Sequence, residues 1–237
     1  MISKHNIDNT QQTFSLDTFK EKFSPDKMCN FYLQDDLHNE KRLNHYLVKQ
    51  PNDNCFYVEG LHDNLKQFIY VCFYQALQNI SDTNKRYVYL TFDNEPVKAG
   101  DSQRVHGLHI DGLQGDEVPE KVSNCFQFIC FDSLPTLFAD QTFKTNNLCL
   151  SKDNIFDALG SQVNKNNVYH TKENTIYFMN PYMVHTADKS NKDCKRLFVR
   201  LYFSHLPITS IKATINPNID YNFKPHTTSG DIPKHLK

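Results

Sequence analysis

The chain has almost no net charge: 26 lysines and arginines face 27 aspartates and glutamates, giving −1 with histidine neutral. General binders of nucleic acid or of membrane surfaces rely on an excess of basic charge, so both classes are disfavoured, and only a local basic patch would restore them. The seven cysteines are odd in number and include no C-x-x-C pair. That argues against a disulfide framework and a zinc–thiolate site, and it favours a reducing, cytoplasmic setting. No apolar run approaches the length of a membrane span. Met1 to Thr13 is polar and lacks a hydrophobic signal segment. Internal repeats and a clear domain boundary are also missing, so residues 1–237 read as a single domain.

What is present is apolar and aromatic. Hydrophobic residues make up 39% of the chain, with 18 Phe and 12 Tyr, ample for one large core. Residues 14–24 suggest a short helix ended by Pro25, and residues 27–59 give no clear pattern. Leu61, Leu65, Phe68, Cys72, Ala76 and Ile80 recur at spacings of three and four, widened by Ile69, Phe73 and Leu77, which predicts an amphipathic helix. From residue 86 the period shortens. Tyr87–Phe92, Phe126–Phe131, Thr175–Met179 and Leu197–Phe203 are rich in β-formers and read as strands. Ser133 to Asn147 reads as an irregular loop or lid around Pro135, Thr136, Leu137 and Phe138. Asp153 to Val163 reads as a short helix capped by Ser151. The expected class is mainly β with flanking helices: a helical flank over 1–85, a β core over 86–204, and a C-terminal extension over 205–237 that wraps the surface or is partly disordered.

The chemistry centres on Arg104-Val105-His106-Gly107-Leu108-His109-Ile110-Asp111-Gly112. On a strand His109 and Asp111 would project from one side, because strand side chains alternate. One His-x-Asp is no more than chance supplies at this composition, so its meaning depends on the residues that accompany it. A second histidine would complete a two-His-one-carboxylate facial triad. His185 is the best candidate, where a strand broken by Asn180-Pro181 meets a polar turn. His170 competes, but no arginine follows it at a useful distance. His106 could compete with His109 as a ligand, although three-residue spacing suits the mouth of a site better. Of only five arginines, Arg196 and Arg200 lie four residues apart on one face of the last strand, with Leu197, Val199, Leu201 and Phe203 on the other. Buried guanidinium groups require anionic or polar partners and grip carboxylates in a bidentate fork. Gln103, Arg104, Gln127, Tyr87 and Tyr89 are further candidates to face a cavity, with structural roles as the alternative.

This ordered set, His-x-Asp … His … Arg over residues 87–204, resembles the Fe(II)/2-oxoglutarate-dependent dioxygenase superfamily. The resemblance implies a double-stranded β-helix, a cupin-like jelly roll, with His109, Asp111 and His185 holding Fe(II). It also implies that Arg196, eleven residues after the distal histidine, binds the far carboxylate of 2-oxoglutarate. Arg200 matches a second arginine that faces an anionic substrate in one branch, and the two roles are exchanged in others. His106 would then contact substrate near the mouth. With O2 as oxidant, 2-oxoglutarate would yield succinate and CO2 while the substrate is hydroxylated. Halogenating relatives lack the carboxylate ligand, so Asp111 favours hydroxylation. The alternative is a cupin-type protein that holds a metal or small ligand without turnover.

Overall fold

A computed structural model describes residues 15–103, 107–111, 125–149, 152–209 and 212–224. Nine strands among them form two antiparallel sheets: β1 (Asp26–Asn30), β2 (Leu43–Lys49), β3 (Tyr87–Asp93), β4 (Phe126–Phe131), β5 (Thr136–Ala139), β6 (Val168–His170), β7 (Thr175–Met179), β8 (His185–Ala187) and β9 (Phe198–Ser204). The larger sheet runs β1-β7-β4-β9-β3-β2 and the smaller runs β6-β5-β8. Two α-helices, α1 (Asp63–Asn79) and α2 (Ile155–Gly160), accompany four short 3-10 segments.

Strand alternation assigns each side chain to one of two layers. Phe128 and Cys130 of β4, Ile176 and Phe178 of β7, and Val199, Leu201 and Phe203 of β9 share one core with Leu65, Phe68, Ile69, Cys72 and Ala76 of α1. Their neighbours in sequence turn the other way. Ile129 and Phe131, Tyr177 and Met179, and Phe198 pack with Phe138, Ala139 and Ile155 in a second core between the sheets. The period-2 pattern thus sandwiches the large sheet between α1 and the small sheet. Each fully buried Phe contributes about 1.5–3 kcal/mol through area removed from water.

Helix α1 starts where the His62 ring accepts a hydrogen bond from the Asn64 N–H at 3.1 Å. It ends at Ile80, which is extended while its N–H still bonds the Ala76 carbonyl at 2.7 Å. The predicted apolar stripe is buried from Leu65 to Ile80, with Leu61 and Phe73 partly buried, but Leu77, expected to widen it, is exposed.

Several expectations change. The segment read as a helical flank supplies both edge strands of the large sheet, β1 and β2, so the β layer extends well before residue 86. Its helical start is only a 3-10 turn over Leu16–Lys20. The expected lid at Pro135–Phe138 is instead β5, the central strand of the small sheet, with Thr136 and Phe138 buried. Loop-like composition concealed it, because a four-residue strand carries too little alternation to be recognised. The cap of α2 is Asn154, whose side chain accepts from the Phe156 and Asp157 N–H groups; Ser151 lies outside the described residues. Residues 212–224 wrap the β2 edge. Asn216 is fully buried and donates to the Leu47 and Tyr57 carbonyls at 2.7 and 2.9 Å.

Candidate metal centre

The backbone brings the two distant histidines together. His109 and His185 form an isolated antiparallel bridge in which each N–H donates to the other's carbonyl at 2.9 Å. Their rings then lie 4.4 Å apart between centroids. Asp111 follows in a turn, so the pair sits on a bridge and turn instead of the strand end expected from the sequence. The three side chains still converge: one ligand atom from each of His109, Asp111 and His185 lies within 4.8 Å of the others.

The hydrogen bonds set the tautomers. His109 Nδ1 lies 3.0 Å from the Gly107 carbonyl and His185 Nδ1 lies 2.8 Å from the Met183 carbonyl. A carbonyl only accepts, so each Nδ1 carries a proton, and in the neutral ring Nε2 then keeps its lone pair. This is the state in which imidazole binds a metal, with the second nitrogen fixed by a backbone acceptor. Burial pulls His185 down to about 4, opposed by the Asp111 charge, so its ring is neutral at pH 7. For Asp111, burial pushes the pKa up, but His185, Arg200, His109 and a hydrogen bond from Gln127 outweigh it and hold the group well below the usual carboxylate range. Two imidazoles presenting Nε2 and one ionised carboxylate are a donor set suited to a divalent first-row metal and leave one face open.

These groups line a cavity of about 390 Å³, within the size range of small-molecule sites. Arg196 and Arg200 both line it, together with the apolar Ile129, Met179 and Phe156. Four residues of extended chain span about 13 Å, so the two guanidinium groups serve different parts of it. Arg196 is 1% exposed. Its Nε donates to the Ser133 carbonyl at 2.9 Å and its Nη1 to Gln103 Oε1 at 2.8 Å. Its Nη2 has no hydrogen-bond partner among the described residues, and its charge lies over the Phe131 and Phe198 rings. Burial lowers it to about 10, against the pull of Asp132 and Asp93, so it stays cationic at neutral pH. An orphaned donor on a buried cation is the kind of group that a ligand carboxylate would satisfy.

Arg200 is engaged differently. Its Nη1 lies 3.5 Å from Asp111 Oδ1 and 3.4 Å from Gln127 Oε1, and its Nη2 lies 3.0 Å from His45 Nε2 and 3.5 Å from Thr91 Oγ1. Arginine only donates, so His45 accepts through Nε2. His45 reaches it from a bulge in β2, where it adopts a φ of 46°; bulges commonly re-aim a side chain in this way.

Of the residues expected from the sequence, five come together here: His109, Asp111, His185, Arg196 and Arg200. His106 and Arg104 lie outside the described residues. Gln127 lines the cavity, whereas Gln103 supports Arg196 from behind. Tyr87 and Tyr89 do not line the cavity and pack in a cluster with Ile219 and Phe223, and His170 is an exposed residue of β6. His45 and Thr91 were not anticipated, and Thr136, expected in a lid, lines the cavity from β5. The available signal for Thr91 was a polar residue on the sheet face opposite Leu90 and Phe92; nothing in the sequence marks the bulge at His45. No family model matches the chain, and no curated protein matches it.

Proposed function

We propose that the chain is a non-haem Fe(II)/2-oxoglutarate-dependent oxygenase that hydroxylates a small anionic metabolite or amino acid. The observation that carries the reading is the convergence of His109, Asp111 and His185 on a cavity that also holds a buried arginine with an unpartnered donor, Arg196. Consecutive chain segments also cross between the two sheets, β4 in the large, β5 and β6 in the small, β7 in the large, β8 in the small, β9 in the large. That alternation supports a double-stranded β-helix of jelly-roll type. The reading includes a cytoplasmic location, in keeping with seven free thiols. Among the described residues no helix is long and apolar enough to cross a membrane.

His109, Asp111 and His185 would hold the metal. When bound, the metal supplies oxidative decarboxylation of 2-oxoglutarate to succinate and CO2, coupled to oxygen transfer to the substrate. The chain's own contribution is positioning. Gly107 and Met183 carbonyls orient the two imidazoles, Arg196 receives the far carboxylate of 2-oxoglutarate, and Arg200 offers a second cationic contact for a substrate anion. Ile129, Met179 and Phe156 keep the surroundings apolar, which strengthens each of these electrostatic contacts.

Purified protein given Fe(II), ascorbate and 2-oxoglutarate is expected to release succinate slowly even without substrate. Failure to bind both Fe(II) and 2-oxoglutarate in calorimetry would overturn the proposal. Metal uptake with no consumption of 2-oxoglutarate would instead describe a cupin-type binding protein.

A further inference from the structure

The contact between Arg200 and Asp111 is looser than their chemistry favours. A guanidinium and a carboxylate normally close to about 2.7–2.9 Å, yet Arg200 Nη1 stands 3.5 Å from Asp111 Oδ1. Both groups are largely buried, at 8% and 20% side-chain exposure, where attraction is strong and water competes poorly. Something must hold them apart, and Gln127 is placed to do so. It is fully buried on β4. Its Nε2 donates to Asp111 Oδ2 at 2.7 Å, and its Oε1 accepts from Arg200 Nη1 at 3.4 Å. Donor and acceptor ends are thereby assigned without ambiguity: the amide nitrogen faces the carboxylate and the amide oxygen faces the guanidinium.

We propose that Gln127 is a positioning residue that acts as a spacer, keeping Arg200 from capturing the Asp111 carboxylate and so leaving that carboxylate available to a metal. An aliphatic residue at 127 would remove both amide contacts at once. Arg200 would then close onto Asp111 as a bidentate pair, and a metal would have to break that pair before binding. Methionine, close to glutamine in length but without its amide, would have the same effect. This inference rests on the metal reading of the site and concerns how the site is kept open.

The test measures Mn(II) affinity by calorimetry, and the EPR line shape of bound Mn(II), in the full-length chain. Outer-shell partners of metal ligands typically govern about 10–100-fold in affinity. Gln127→Leu is expected to weaken Mn(II) binding within that range. The double variant Gln127→Leu/Arg200→Leu should recover most of the loss, since the capturing group is gone. Gln127→Met should weaken binding to a similar extent, and Gln127→Met/Arg200→Leu should recover it in the same way, the EPR line shape returning toward the native one in each double variant. Thermal unfolding of each metal-free variant reports whether it folds, and the methionine pair carries the test if the leucine pair does not fold. Equal losses in a single variant and its double would overturn the spacer. A native chain that binds no Mn(II) would remove the metal reading and the spacer together. Native binding with an unchanged Gln127→Leu would remove the spacer alone.

Discussion

His185 makes the metal-free protein sensitive to acid in a way that can be isolated. In the folded chain its ring titrates at about 4, because burial disfavours the charged form; in an unfolded chain it titrates at about 6.5. The folded pKa is the lower one, so between these values the unfolded state takes up a proton that the folded state refuses. Stability contributed by the neutral ring is therefore complete above about pH 6.5, declines as the pH falls, and levels off below about 4. Between pH 7.5 and pH 5 the decline is about 2 kcal/mol from this one residue. The assay is urea unfolding of the chain at both pH values, with a chelator present to keep the site metal-free. His185→Gln, which cannot titrate, serves as the reference. The native chain should lose about 2 kcal/mol more than the variant across this interval. Identical losses in both would refute the reasoning, because they would mean that the ring is solvated and protonates freely.

Arg196→Leu is expected to weaken 2-oxoglutarate binding by at least about thirtyfold, in line with the 2–5 kcal/mol cost of removing one partner from a buried charged contact, while Mn(II) binding in calorimetry changes little. If Arg200→Leu produces that loss instead, the roles of the two arginines are exchanged. Asn216→Ala should destabilise the chain by about 1–3 kcal/mol in urea unfolding, since it strips the donor from two backbone carbonyls at Leu47 and Tyr57; an unchanged midpoint would mean that the wrap over β2 is incidental.

The parts of the fold visible in the sequence were those in which local pattern and burial agree. The α1 stripe and the strands β3, β4, β7 and β9 each combine a long run with a strong period, and β9 sets Arg200 on the face opposite Val199, Leu201 and Phe203, while Arg196 precedes the strand. The strands that escaped detection are short or depend on distant partners. β8 has three residues, and β1 carries polar residues because it borders solvent as an edge strand. At the site, residue identity and order disclosed His109, Asp111, His185 and the arginines. Gln127 was legible as a candidate to face the cavity, but its role depends on Asp111 and Arg200 meeting its two amide ends; His45 was hidden, and Arg200 meets it only because β2 bulges.

The reciprocal backbone bonds between His109 and His185 have a kinetic consequence. They join segments far apart in the chain, across the small sheet, so the ligand set does not exist until a long loop has closed. Loop-closure entropy must be paid before such a contact rewards the chain, so the ligand set is expected to be absent from the folding transition state. A metal held there would leave the folding rate nearly unchanged and slow the unfolding rate, lengthening the lifetime of the native state far more than it hastens its arrival.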